Sequence, residues 1–308
     1  MKLQIPMFYY PLKILFVDDD IELLKSYYHL DLPNKMEIES NPHIALEKLI
    51  NQANKTVKIF NDITNASDIN SLTTNDEAII RFTFKNISKL VHNQDKYNNY
   101  GMVVVDYKMH GMNGIELCNK ISSEFDILKI LLTGEYSPTG AVAAFNENII
   151  DSFLQKGTET TITALLNSIN ALQLKYFRNI TQNFLNLTEN KCDFLYDADF
   201  INLVNNFIHE HNITEYYLLS NTGCYLMKNK LNNFILNVYT DKDLDIFCEM
   251  YEHLNPALIE EVKLRKLIPN FKLPEQTNFA LTDYFYPCEK SGPYYYNLYK
   301  PDKDNCLF

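Results

Sequence analysis

The sequence predicts an α/β fold: a doubly wound five-stranded parallel sheet, then a long linker helix, then a second α+β domain with an antiparallel meander. Three observations predict it. Short apolar runs recur, each ending in an acid, a hydroxyl or an ammonium. Segments with helical spacing alternate with those runs, which is the signature of a parallel sheet with crossover helices. Beyond about residue 188 the order changes to helix, strand, turn, strand. The chain therefore divides into 11–159, with an insertion at 52–99, a linker or interface helix at 160–188, and a second domain at 189–308.

Lys13–Val17 (KILFV) is an apolar run of the kind found in strands buried on both faces. Asp18, Asp19 and Asp20 follow it at once, and Ile21–Leu30 then carries apolar residues at helical spacing. Lys35–Ser40 reads as a second strand and Pro42–Asn51 as a second helix. Residues 52–99 turn rich in Asn, Asp, Thr and Lys and read as an insertion, with a denser patch at Ala78–Val91 that suits a helix or a strand pair. Gly101–Asp106 (GMVVVD) is a strand ending in an acid, followed by the loop YKMHGMNG and a helix at Ile115–Ser123. Lys129–Thr133 (KILLT) ends in a hydroxyl. Ala141–Asn146 is helical, Ile149–Gln155 is the fifth strand, and Lys156 follows it.

In open α/β sheets, ligands bind outside the carboxyl ends of the strands. Asp18, Asp19, Asp106, Thr133 and Lys156 all fall at that edge. Adjacent carboxylates repel one another, and a hard divalent cation such as Mg²⁺ relieves the repulsion. The alternative for Asp19 or Asp20 is a helix cap. Two or three acids, one hydroxyl and one ammonium together make a metal-plus-phosphate site.

These residues carry a resemblance. Residues 12–172, less the insertion, resemble the receiver domain of two-component response regulators, a CheY-like or flavodoxin-like fold. The acid pair matches Asp18 and Asp19. The phosphoacceptor matches Asp106 within VVVDYKMHGMNGIEL. The switch hydroxyl matches Thr133 in ILLTGE, and the switch aromatic Phe153 and the lysine Lys156 both lie in SFLQK. The resemblance implies phosphorylation of Asp106 with Mg²⁺ held by Asp18, Asp19, Asp106 and the backbone carbonyl of Lys108. It also implies a sensor histidine kinase or phosphotransfer protein as partner, and self-phosphorylation and autodephosphorylation as the only chemistry of the receiver, with enzymatic activity of the second domain left open. Two departures stand out: His110 and Gly157 occupy positions where the family usually has proline. Gly134 leaves room for a bulky phosphodonor, and Lys108 and Glu135 could line the route of an attacking water.

Thr160–Leu187 repeats apolar residues at steps of three and four for some seven turns. Such a helix packs on the second domain or on its twin in a homodimer. Asp199–His211 reads as a helix. Glu215–Leu219, Cys224–Lys228 and Phe234–Tyr239 read as three strands of a meander, with helices at Thr240–Leu254 and Pro256–Lys266. The tyrosine-rich C-terminus reads as a final strand. EYYLLSNTGCYLM and GPYYYNLYK resemble a group of proteobacterial response regulators with an uncharacterised output half. The arrangement also resembles that of the quorum-sensing response regulator of Legionella, whose output fold is similar to nuclease-superfamily domains without clear catalytic residues.

Composition sets the exclusions. With 28 Lys+Arg against 39 Asp+Glu, the net charge of −11 disfavours nucleic acid as a partner. No run of about 18 apolar residues predicts a membrane span. No two of the six cysteines are close in sequence, so no zinc or redox pair forms. With no secretory signal at the N-terminus, the chain reads as cytoplasmic. No helix-turn-helix, cyclase, ATPase or glycine-rich phosphate motif stands out. Two rivals stay open: a receiver-like scaffold independent of phosphorylation, and a haloacid-dehalogenase-type phosphatase using Asp18 and Asp20.

Overall fold

The computed structural model describes residues 4–51, 84–122, 127–134, 139–187, 192–253, 255–271, 273 and 281–301. Most of the insertion, residues 52–83, lies outside them, as does Glu135. The chain forms two compact units, one of residues 11–74 and 92–179, the other of residues 1–10, 75–91 and 180–308. A two-residue strand, β1 (Phe8–Tyr9), opens the described chain and belongs to the second unit.

The first unit is a five-stranded parallel sheet. Its elements are β2 (Lys13–Val17), α1 (Ile21–Ser26), β3 (Met36–Glu39) and helix α2 at residues 42–51. A helix in the second unit's part of the insertion, α3 (Phe84–His92), intervenes. Then follow β4 (Tyr100–Asp106), α4 (Gly114–Ser122), β5 (Leu128–Thr133), α5 (Thr139–Asn146) and β6 (Ser152–Gln155). The strand order is β3-β2-β4-β5-β6. Strands β4 and β5 are buried from end to end, which is why their sequences are continuous apolar runs. Leu15, Val17, Val103, Val105 and Leu131 form one face of the sheet core with Leu117 and Ile121 of α4.

Parallel register aligns the strand ends. Val17 pairs with Val105, Asp106 with Leu132, and Thr133 with Gln155. Asp18, Asp106, Thr133 and Lys156 therefore reach the same edge because the ladder places them there.

Helix α6 (Thr161–Leu187) contributes to both units, which divide between residues 179 and 180. Its buried positions are 165, 169, 172, 173, 177, 181 and 184; five of them belong to the apolar stepping read from the sequence, and the polar Gln173 and Thr181 are buried beside them. In the first unit its buried Gln173 accepts hydrogen bonds from Leu12 N and Asn34 Nδ2. In the second unit its buried Thr181 accepts the Met7 N–H at 3.0 Å, and Phe184 meets Phe8 edge-on.

The second unit continues with α7 (Ala198–Glu210), β7 (Glu215–Leu218), β8 (Tyr225–Lys228), β9 (Asn233–Thr240), α8 (Asp241–Met250), α9 (Pro256–Lys263), β10 (Leu267–Pro269), β11 (Phe285–Pro287), β12 (Glu289–Ser291) and β13 (Tyr294–Tyr299). The meander β7-β8-β9 is present, but the sheet is larger than three strands. It has six antiparallel strands in the order β1-β7-β8-β9-β13-β12, and β10 pairs with β11 separately. The tyrosine-rich segment is a strand that packs: Tyr294 and Tyr295 are buried, and β13 pairs with β9 from Tyr294 opposite Thr240 to Tyr299 opposite Ile235. Helix α8 starts sharply because Thr240 and Asp243 form a reciprocal capping box. None of the described helices is long and apolar enough to cross a membrane.

Candidate functional site

The acid triplet after β2 separates into three roles. Asp20 turns its carboxylate onto the N–H groups of Glu22 and Leu23 and caps α1. Asp18 is buried; its Oδ1 accepts the Asp20 N–H, and its Oδ2 accepts from Lys156 Nζ at 2.5 Å. Asp19 points outward, with His110 Nδ1 2.6 Å from its Oδ2. Oxygens of Asp18, Asp19 and Asp106 lie within 4.8 Å of one another. The sequence left cap and metal site both open for these acids, and the structure assigns the cap to Asp20.

Asp106 is buried at the end of β4. Its Oδ2 accepts the Lys108 N–H at 3.2 Å, and its Oδ1 stands 2.5 Å from Lys156 Nζ. Lys156 thus bridges Asp106 and Asp18. Burial lifts the Asp106 carboxyl above the ordinary aspartate range. The Lys156 ammonium and the Lys108 amide oppose that rise, while the charge of Asp18 adds to it. Burial works against the charged form of Lys156, but its two carboxylate partners outweigh this and hold it above the ordinary lysine range. Lys108 is exposed on the loop after β4.

Thr133 is buried at the end of β5, and its backbone carbonyl accepts the Lys156 N–H at 2.7 Å, tying the two strand ends together. Phe153 is half-buried on β6, edge-on to Phe145 at 6.3 Å. Gly134 is exposed, and a methyl group there would meet nothing within 4 Å. Gly157 follows Lys156 with φ +78°, a conformation proline cannot adopt. The departure from proline at this position is therefore built into the loop that presents Lys156.

Sequence reasoning missed Tyr27. It is buried and stacks on Phe16 at 4.7 Å. Burial raises its hydroxyl pKa, and Asp18, Asp106 and Asp20 raise it further, so the phenol borders the acidic cluster in its neutral form. Nothing in an amphipathic helical segment marks one tyrosine as a neighbour of these acids. His110 was visible as a departure, but its contact with Asp19 became visible only once the β4 loop was placed beside the β2 end.

No family model and no curated protein matches the chain. Among solved structures it is similar to the Legionella pneumophila response regulator LqsR, at 26% identity and a TM-score of 0.73, over 98% of this chain and 91% of that one. The first unit has the receiver fold. The likeness extends beyond it, through the second unit, so the chain has the architecture of a whole response regulator. Two further structures are similar to part of the chain. One is an adenylate cyclase from Rhodopirellula baltica, at 21% identity and TM-score 0.36, over 57% of this chain and 96% of that one. The other is the signal receiver domain of an HD domain-containing protein from Pseudomonas fluorescens Pf-5, at 18% identity and TM-score 0.35, over 56% and 93%.

Proposed function

We propose that this response regulator accepts a phosphoryl group on Asp106 and answers by changing its protein–protein contacts. The observation that carries the reading is the joint placement of three carboxylates and one ammonium at a single sheet edge, with Lys156 shared between Asp18 and Asp106.

The donor set suits Mg²⁺, a hard cation bound through one or more carboxylates while it keeps several waters. Asp18, Asp19 and Asp106 would hold it, with the backbone carbonyl of Lys108. Bound there, the ion would neutralise charge on the oxygens of an incoming phosphoryl group. The chain's own residues do the rest. Asp106, buried at the end of its strand with one oxygen beside Lys156 Nζ, is the nucleophile. Its oxygen attacks phosphorus as the bond to the donor breaks, and the donor leaves with the bonding electron pair. Lys156 supplies a fixed positive charge beside the product. Thr133 offers a hydroxyl to the new group, and Phe153 adjusts behind it; both lie on strands whose ends Lys156 already ties together.

The donor would be a sensor histidine kinase or a phosphotransfer protein. The response would pass through α6 to the second unit, as a change of partner or of dimer state, in the cytoplasm and without DNA binding. Asp20 is engaged as a helix cap, which argues against the phosphatase alternative, since that chemistry needs Asp20 in the site. A second reading, a scaffold that never turns over phosphate, is favoured by one observation: His110 sits on the Asp19 carboxylate.

One experiment separates these. Incubation with acetyl phosphate and Mg²⁺ should add the mass of one phosphoryl group to the wild type and none to Asp106→Asn, read by intact mass spectrometry. Light scattering on the same samples reports any change of dimer state. An unmodified wild-type chain would reject phosphoryl transfer and leave the scaffold.

A further inference from the structure

A cleft of about 230 Å³ opens in the second unit, far in sequence from the acidic edge. The Ser220–Thr222 turn, helix α8 and the Asn270–Phe271 segment after β10 build it. We propose that this cleft is a binding site for a small planar heterocycle, neutral or cationic and bearing an N–H donor, of the nucleobase or nucleoside class. The proposal goes beyond phosphorylation and does not depend on it.

The first argument is an orphaned acceptor. Asn270 lines the cleft, is only 4% exposed, and its Oδ1 has no hydrogen-bond partner. Its side chain also hydrogen-bonds the Tyr299 hydroxyl, and its backbone N–H donates to the Tyr284 carbonyl at 2.7 Å, so the residue is held in place. Buried carbonyl oxygens in native proteins are almost always paired, and an unpaired one beside a cleft calls for a donor from outside the chain. Phe271, the next residue, is fixed too: its N–H donates to Oδ1 of wholly buried Asn237.

The second argument is the character of the walls. Phe247 of α8 and Tyr251, which caps the helix C-terminus, have ring centroids 4.7 Å apart. Ile246 and Met250 flank the opening and are 44% and 64% exposed, high for apolar side chains at the rim of a cleft. These surfaces suit the faces of a flat ring. The lining also carries the hydroxyls of Ser220 and Thr222, which lie 2.7 Å apart and are held in place by Cys224, whose N–H donates to Ser220 Oγ.

Charge settles the class. Among the described residues that line the cleft, Asp243 is the one carboxylic acid, and none is Lys, Arg or His. Its Oδ2 is committed to Thr240, and Oδ1 remains for a ligand. A carboxylate without a cation beside it repels phosphates and carboxylates and attracts N–H donors. Nucleosides fit that pattern and nucleotides do not. The volume, roughly the share of eight waters, is small beside the usual 300–1,000 Å³ of drug-sized sites and matches a ligand of this size.

The test is isothermal titration calorimetry of the full chain with adenine, the four common ribonucleosides and their 5′-monophosphates. At least one neutral probe should bind, and its monophosphate should bind at least tenfold more weakly. Asn270→Ala should weaken binding of that probe about tenfold or more. Because Asn270 is buried and its variant could fold poorly, Met250→Trp at the exposed lip is the companion. It should block the cleft and abolish binding while leaving the thermal midpoint unchanged. Absence of heat with every probe, equal binding of nucleoside and monophosphate, or binding untouched by Met250→Trp would each overturn the proposal.

Discussion

Gly114→Ala should lower the stability of the receiver domain by about 2–4 kcal/mol and cripple Asp106 at the same time. Gly114 opens α4, and its N–H donates to the Tyr107 carbonyl at 2.9 Å. A Cβ at this position would sit 2.3 Å from the Asp106 carbonyl oxygen and 2.8 Å from Leu131 Cδ1. The leucine methyl can yield a few tenths of an ångström. The carbonyl belongs to the last residue of a fully buried strand and cannot yield without moving that strand end. Overpacking of this kind costs typically 1–3 kcal/mol and more when backbone must shift, out of a total of about 5–15 kcal/mol. The displaced backbone also carries the Asp106 side chain, which must meet both Lys108 N–H and Lys156 Nζ. Urea unfolding should therefore show a lower midpoint with an unchanged slope. Acetyl phosphate labelling of the folded fraction should fall with it. A variant with the wild-type midpoint would show that α4 can slide away from β4 freely, and the tight α4 contact would lose its role in placing the acid.

The receiver domain was legible in the sequence because its physics is local. Buried parallel strands must be apolar on both faces, so β2, β4 and β5 announce themselves, and the residues that end them define the edge. What was not legible depends on pairing across long separations. Strand β1 has two residues between Pro6 and Pro11, too few for any period. Its place comes from β7, with Phe8 opposite Tyr217, and from Thr181 of α6. The meander showed its turns, but the sequence could not show that β13 would extend it, because nothing local ties Tyr295 to Tyr239. Within the site, Asp18, Asp106, Thr133 and Lys156 followed from strand ends alone. The division of labour between Asp19 and Asp20 did not, since either could have capped α1. Tyr27 and the His110 contact needed the folded edge, and the Asn270 cleft needed three segments that no spacing rule connects.

Lys156→Met should destabilise the receiver domain by about 2–4 kcal/mol in the absence of divalent cations, and Mg²⁺ should restore most of the loss. The wild-type ammonium sits 2.5 Å from a carboxylate oxygen of each of two buried acids. Removing one partner of a buried ion pair leaves uncompensated charge and costs about 3–5 kcal/mol when burial is complete; the partial exposure of Lys156 trims that figure. Adding Asp106→Asn to Lys156→Met should recover stability, because one of the two stranded charges disappears. The pH dependence has a definite sign. The folded-state pKa of Lys156 is raised, so its contribution is fully present below the unfolded lysine value of about 10.4 and is lost as pH rises through the folded value. Asp106 is also raised, so its contribution is present below the unfolded aspartate value of about 3.9 and is lost as pH rises through the folded value. At neutral pH its ionised form is therefore a cost to the fold. Lys156→Met deletes the alkaline transition and enlarges the acidic one. The variant should gain stability as pH falls from neutral, where the wild type gains less. A divalent cation bound among Asp18, Asp19 and Asp106 would replace the lost positive charge, and at a hundredfold excess over its Kd it adds about 2.7 kcal/mol. Thermal unfolding of the single and double variants, with and without Mg²⁺ across this pH range, measures every term. If Mg²⁺ fails to rescue Lys156→Met while still binding the wild type, the three carboxylates do not form one cation site. If the variant matches the wild type at every pH, Lys156 does not neutralise the buried acids.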